Sequence, residues 1–273
     1  MAKKDLLRIP ILNAFKERDA CPLCLLWSKD EMDYLLYVES NEMTASGGFR
    51  KKLVDAMGFC NHHMHLLYEV AFSSKAEDGL AYATYVRDVI GELEAVLRET
   101  ESGFGAETGR AGGRGFASSG RASRGIQGAS ATLARAIAGN EICPACSHLL
   151  DSERQRVGTF LVMLDDDADF AAVFARSRGV CALHLAAVME SLAQTGSRND
   201  AAPALIMKVE LENLGRIRHL LDERIRKYSW EFRDAPITRE EANSQELAMN
   251  FIGGVEGLHC KTRKTPQYAD LKQ

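Results

Sequence analysis

The segments Cys21-Pro22-Leu23-Cys24 and Gly58-Phe59-Cys60-Asn61-His62-His63 return later in the chain. They reappear as Cys143-Pro144-Ala145-Cys146 and Gly179-Val180-Cys181-Ala182-Leu183-His184. The first pair is shifted by 122 residues and the second by 121. Two motifs recurring at one interval read as a tandem duplication. The match extends beyond the motifs. Ile11, Ala14 and Phe15 align with Leu133, Ala136 and Ile137, and Glu31 aligns with Glu153. Ile90, Leu93 and Val96 align with Leu211, Leu214 and Ile217.

Each copy thus carries C-P-x-C and, 35 or 34 residues on, C-x-x-H. A C-x-x-C turn converges two sulfurs on one point. A Cys and a His at i and i+3 in the first turn of a helix face the same way. Taken within each copy, the quartets are Cys21, Cys24, Cys60 and His63, then Cys143, Cys146, Cys181 and His184. Three sulfurs and one imidazole are the donor set of tetrahedral zinc, so two zinc ions per chain are expected. Gly58 and Gly179 would let the backbone turn sharply into the ligand helix. A thiolate at a helix start is favoured by the helix dipole. An iron–sulfur cluster or a redox dithiol uses similar residues and stays as the alternative.

His62, His65 and His148 face Leu183, Ala186 and Leu26 in the other copy. A ligand should occur in both copies, so these three read as surface or supporting residues. Cys260, the seventh cysteine, and His259 have no assigned role.

No catalytic pattern accompanies the quartets. A catalytic zinc keeps one position open, whereas four protein donors close it. The H-E-x-x-H and zinc-deaminase signatures are missing, as is a phosphate loop with its Lys. Asp165-Asp166-Asp167 precedes a helix and reads as its capping segment rather than a cation site.

The apolar periodicity is helical throughout, and β-branched alternation is missing, so an all-α fold is expected. Helices are expected after Pro22, over Phe49–Met57, around Leu66–Val70, over Tyr82–Leu97, after Pro144, over Phe170–Phe174, over Cys181–Leu192 and from Ala202 toward Trp230. A last one starts near Thr238 and ends at Gly253-Gly254. Between the copies, Ser102–Ser130 holds nine of the 22 Gly with Arg110, Arg114, Arg121 and Arg124, and reads as a flexible linker. The expected organisation is a metal module over 1–101, a linker over 102–130, a second module over 131–234 and a C-terminal helix and tail over 235–273.

The 273 residues are 46% apolar with a formal charge of -4, enough for a sizeable core and too acidic for a nucleic-acid binder by charge alone. The front run Ile9-Pro10-Ile11-Leu12 is too short for a secretory signal, and no apolar run is long enough to span a membrane. An odd cysteine count argues against a disulfide framework, so the expected compartment is the cytoplasm.

The order CPLC, GFCNHH, CPAC, GVCALH, with Tyr228-Ser229-Trp230-Glu231-Phe232-Arg233 and Ile237-Thr238-Arg239-Glu240-Glu241 behind it, resembles a prokaryotic family labelled domain of unknown function 6062. The resemblance covers the chain outside the Gly/Arg stretch and implies no activity. From the residues themselves, the expectation is a non-enzymatic zinc-binding scaffold with a protein partner, and the alternative is a redox or iron–sulfur electron-transfer protein.

Overall fold

A computed structural model describes residues 2–16, 20–73, 79–109, 118–195, 201–232 and 234–254. These residues form helices and connecting turns, with no strand among them. The first half runs α1 (Ala2–Ala14), α2 (Pro22–Val38), α3 (Asn41–Ala45), α4 (Gly47–Asp55), α5 (Asn61–Ala71) and α6 (Leu80–Gly109). After it come α7 (Ser118–Ala138), α8 (Pro144–Asp166), α9 (Ala168–Ala175), α10 (Ala182–Thr195) and α11 (Ala201–Arg226). A 3₁₀ turn at Trp230–Phe232 leads to α12 (Arg239–Ala242) and α13 (Ser244–Gly253).

Local chemistry explains most of these boundaries. Pro22 and Pro144 open α2 and α8, where the missing N–H costs nothing. Ser40 and Ser46 accept from the Met43 and Phe49 amides and so start α3 and α4. Asp167 does the same for α9 through the Phe170 amide, at 3.0 Å, while Asp165 and Asp166 end α8. Thr238 and Glu241 form a reciprocal capping box at α12. Helix α1 runs through Pro10. The apolar face at Ile11, Ala14 and Phe15 is buried, which outweighs one lost backbone hydrogen bond.

The described residues fall into two compact units that differ from the expected division at 101, 130 and 234. One unit joins residues up to Asp30 with those from Leu149 onward, and the other is Glu31–His148. Both boundaries lie inside continuous helices, α2 and α8. The reason is helix stiffness. At about 1.5 Å per residue, α2 extends for about 25 Å and α8 for about 35 Å, so each begins in one core and ends in another.

In the unit holding α1, Phe15 stacks on Phe160 at 5.2 Å and meets the edges of Phe170 and Phe174 at 5.4 and 5.7 Å. Ile11, Val188 and Ile206 close this core. In the Glu31–His148 unit the centre is Tyr85, whose hydroxyl donates to the Val38 carbonyl at 2.7 Å. Phe49 packs edge-on against it, and Leu35, Leu53 and Leu67 surround the pair. Arg50 of α4 pairs with Asp88 of α6 at 2.6 Å.

The expected linker is helical where it is described. Helix α6 continues to Gly109, α7 starts at Ser118, and the two pack against each other. Each interior glycine costs a helix only about 1 kcal/mol, which helix–helix packing offsets. Residues 110–117, with Arg110 and Arg114, lie outside the described residues, as do His259 and Cys260.

A candidate metal centre in each unit

Four helix starts carry all eight predicted ligands. Cys21, Cys60, Cys143 and Cys181 each stand just before a helix, and each carbonyl accepts the first backbone bond of that helix. The residues three places on, Cys24, His63, Cys146 and His184, lie in the first turn on the same side. One device therefore serves both motif types: a thiol at the cap and a donor in the first turn, at the end of the helix whose dipole favours a thiolate.

The pairing of these starts corrects the expectation. Cys21 and Cys24 meet Cys181 and His184, whereas Cys60 and His63 meet Cys143 and Cys146. Each C-P-x-C joins the C-x-x-H of the other half. Stiffness again supplies the cause. The far end of α2, with Leu35 and Val38, packs in the core that holds Phe59, whereas Cys24 at its start belongs to the other unit. The approach of Cys143 to Cys60 is made at Gly139. This glycine has φ of 72°, a Cβ there would lie 2.7 Å from the Ala56 backbone, and the next amide, of Asn140, donates to the Asp55 carbonyl at 2.8 Å. Gly58 and Gly179 have φ of 97° and 68° and turn the chain into Cys60 and Cys181.

Within each quartet the donor atoms all lie within 4.8 Å of one another. Cys24 and Cys181 sulfurs are 3.6 Å apart, and Cys60 and Cys146 sulfurs 3.7 Å. His184 Nδ1 stands 3.6, 3.4 and 3.3 Å from the sulfurs of Cys21, Cys24 and Cys181. His63 Nδ1 stands 3.2, 3.6 and 3.4 Å from those of Cys60, Cys143 and Cys146. No pair is near the ~2.05 Å of a disulfide. A tetrahedral ion with metal–sulfur bonds of about 2.3 Å and a metal–nitrogen bond of about 2.0 Å has edges of about 3.8 and 3.5 Å. The quartets have the size of a coordination shell around one ion.

The unused imidazole nitrogens complete the picture. His63 Nε2 donates to Glu31 Oε1 at 2.9 Å, and His184 Nε2 lies 3.3 Å from Glu153 Oε1. Each carboxylate holds the proton on Nε2 and leaves the Nδ1 lone pair for an ion. These two glutamates were missed as site residues. Their signal was visible: Glu31 and Glu153 each stand seven residues past the second Cys of a C-P-x-C motif.

The thiols interact strongly. Hydrogen bonds from Cys143 and Cys146 hold the Cys60 thiol far below its usual range, and those from Cys21 and Cys24 do so for Cys181. Burial pushes Cys21 up, and Cys146 is pushed up by its neighbours Cys143 and Cys60. Burial lowers the two imidazoles, but their sulfur neighbours raise them more, to about 11 at His63 and about 10 at His184.

The remaining histidines take supporting or surface places. His62 donates from Nε2 to the same Glu31 oxygen at 3.0 Å, His148 stacks on Tyr34 at 4.4 Å, and His65 is exposed.

The two surroundings are not alike. A Cβ on Gly58 would touch the Val89 side chain, whereas one on Gly179 would strike the carboxylate of Glu210. Glu210 is 1% exposed and accepts from the Val180 amide at 2.7 Å. Burial pushes its carboxyl up to about 7, against that hydrogen bond, and Cys181 adds to the rise.

No helix among the described residues is long and apolar enough to cross a membrane. Comparison with curated proteins and with solved structures gave no match. The model of the family of unknown function DUF6062 matches residues 2–257, a span that takes in both Cys/His quartets and every described helix, and the chain belongs to that family.

Proposed function

We propose that the chain is a non-enzymatic zinc protein. Two structural Cys3His sites would shape a helical scaffold that presents a face to a protein partner. The observation that carries this reading is the donor spacing in both quartets, whose edges suit one tetrahedral ion with four protein ligands and no open position. The softness of three thiolates and an imidazole favours zinc among common divalent ions. A multi-iron cluster fits less well, because its inorganic core separates the ligand sulfurs. In this reading the similar halves descend from a tandem duplication. Ile11 and Phe15 are buried while the aligned Ile137 is exposed, so the halves have since diverged. The partner-binding face is supported by α11, which exposes Met207, Leu211 and Leu214 at helical spacing. The six described cysteines are free thiols, which suits a reducing cytoplasm.

The test is elemental analysis with X-ray absorption on protein purified without added metal. Two zinc equivalents per chain in an S₃N shell are expected. Less than one equivalent, or iron with sulfide, would overturn the reading.

One observation favours a redox role as the second reading. Cys21 and Cys60 are half-buried, so each quartet leaves one sulfur within reach of an oxidant. Peroxide treatment that releases metal reversibly and forms a bond at Cys21 or Cys60 would support it.

A further inference from the structure

The quartet of Cys21, Cys24, Cys181 and His184 has a pocket beside it. Its walls include both Cys21 and Cys181, and α11 and α13 contribute side chains beside the turn at Arg178–Val180. Its polar lining is Arg178, Asn213, Arg216 and Asn250, and its apolar side includes Ile217 and Phe251.

This polar set is not something a Cys3His site needs. In the register that aligns the two halves, Arg178 corresponds to Met57, Arg216 to Ala95 and the buried Glu210 to Val89. The quartet of Cys60, His63, Cys143 and Cys146 forms with those smaller or apolar residues. Helix α13 brings Asn250 and Phe251, and in the same register these positions correspond to Ala129 and Ser130 in the first half. Asn213 is 8% exposed and its side-chain oxygen accepts from Arg216 at 3.3 Å, which orients the guanidinium. Among the described residues neither Arg178 nor Arg216 has a carboxylate partner within ion-pair distance. Burial and the nearby charge of Arg178 both lower Arg216, and the repulsion from Arg178 outweighs the attraction of Glu240. Two unneutralised guanidiniums held together at a cleft are a standing demand for an anion.

We infer that this pocket is a binding site for a small oxyanion bearing an apolar group, its anionic end held by Arg178 and Arg216 and its apolar end against Ile217 and Phe251. The planar guanidiniums suit carboxylate and phosphate oxygens alike. Asn213 and Asn250 supply further polar contacts. The anion-binding groups, Arg178 and Arg216, are not metal ligands, although the ligand cysteines Cys21 and Cys181 form part of the pocket wall. The pocket makes the quartet beside it a reporter, because Cys21 and Cys181 form part of the same wall.

The test is calorimetric titration of the full chain, with its native metal content, at constant ionic strength set with chloride. Four probes are used: inorganic phosphate, phenyl phosphate, acetate and phenylacetate. Saturable binding of one equivalent is expected for phenyl phosphate or phenylacetate, and the tighter of the two names the head group. Either should bind more tightly than phosphate or acetate. Arg178→Gln and Arg216→Gln should each weaken that binding roughly tenfold or more, and Phe251→Ala should remove the advantage of the phenyl group. All three residues lie outside the metal quartets, so metal content serves as the control for folding. Absence of saturable binding to the parent protein overturns the inference without any variant. So does binding that both Arg variants retain in full.

Discussion

Glu31 accepts a hydrogen bond from His63 Nε2 at 2.9 Å, yet it lies on the helix whose first turn supplies Cys21 and Cys24 to the other quartet. Helix α8 is built the same way. It gives Cys143 and Cys146 to the quartet of His63 and places Glu153 beside His184. Each of the two helices thus contributes sulfur to one centre and, two turns later, a carboxylate to the other. The outer carboxylate fixes the ring and its tautomer, so its removal should loosen the ion without removing a ligand.

Glu31→Gln should therefore weaken one metal by about 10–100-fold. The metal affected should be that of Cys60, His63, Cys143 and Cys146, although Glu31 follows Cys24 in sequence. Glu153→Gln should weaken the other. Competition with a chromophoric chelator measures the affinity, and mass spectrometry of alkylated cysteines shows which quartet has opened. Loss of protection at Cys21 and Cys24 in Glu31→Gln would contradict the arrangement.

The pairing itself predicts metal counts that differ from those of within-copy quartets. Cys21→Ser with Cys181→Ser removes two ligands from one centre and should leave one metal equivalent. Cys21→Ser with Cys60→Ser removes one ligand from each and should impair both. Quartets closed within each half would give the reverse order. Elemental analysis of the two double variants decides between them.

Cutting the chain between Gly113 and Arg114 supplies a third test. Each unit is built from both sides of the cut: Phe15 packs against Phe160, and Cys60 meets Cys146. The fragments 1–113 and 114–273, produced together, should co-purify with the full metal content. Either fragment alone should hold no complete quartet and should lose most of its helical circular dichroism. Strong chelation should then weaken the complex, because structural zinc contributes on the order of 10–16 kcal/mol in small zinc-finger peptides. Fragments that each retain one metal and fold independently would contradict the cross-pairing.

The ligands were legible because their spacing is set by local geometry: a proline-opened turn brings Cys21 to Cys24, and a first helical turn brings Cys60 to His63. Their partners were not. Spacing along the chain says nothing about which C-P-x-C meets which C-x-x-H, and the nearer motif is the natural assumption for a loop of 35 residues. The outcome was decided by the length and stiffness of α2 and α8, and by burial of Leu35 and Val38 in the core that holds Phe59. Composition misled in the same way at 102–130, where many glycines suggested a linker but α6 and α7 pack against each other. Thr238, by contrast, showed its capping role at once, because a cap is written in four consecutive residues.

Glu210 supplies one pH-dependent contribution to the stability of this fold. It is buried, and its carboxyl stands at about 7 in the folded chain, above the ordinary value of 4.5. The folded state thus binds the proton more tightly than the unfolded state. The sign follows from linkage: stability falls as pH rises from about 4.5 to about 7, and the full penalty for a buried charge applies above that. Glu210→Gln keeps an oxygen that can accept from the Val180 amide and carries no charge. It should therefore stabilise the protein above pH 7 by on the order of 2 kcal/mol and leave it nearly unchanged below pH 4.5. Acid would also protonate the thiolates and release any metal they hold, but it would do so in both proteins, so the difference between parent and variant at each pH isolates the carboxyl. Thermal melts of the two proteins from pH 4 to 8.5 measure that difference. A constant offset across the range, or a variant less stable at pH 8, would show that Glu210 is ionised and paired in the folded chain.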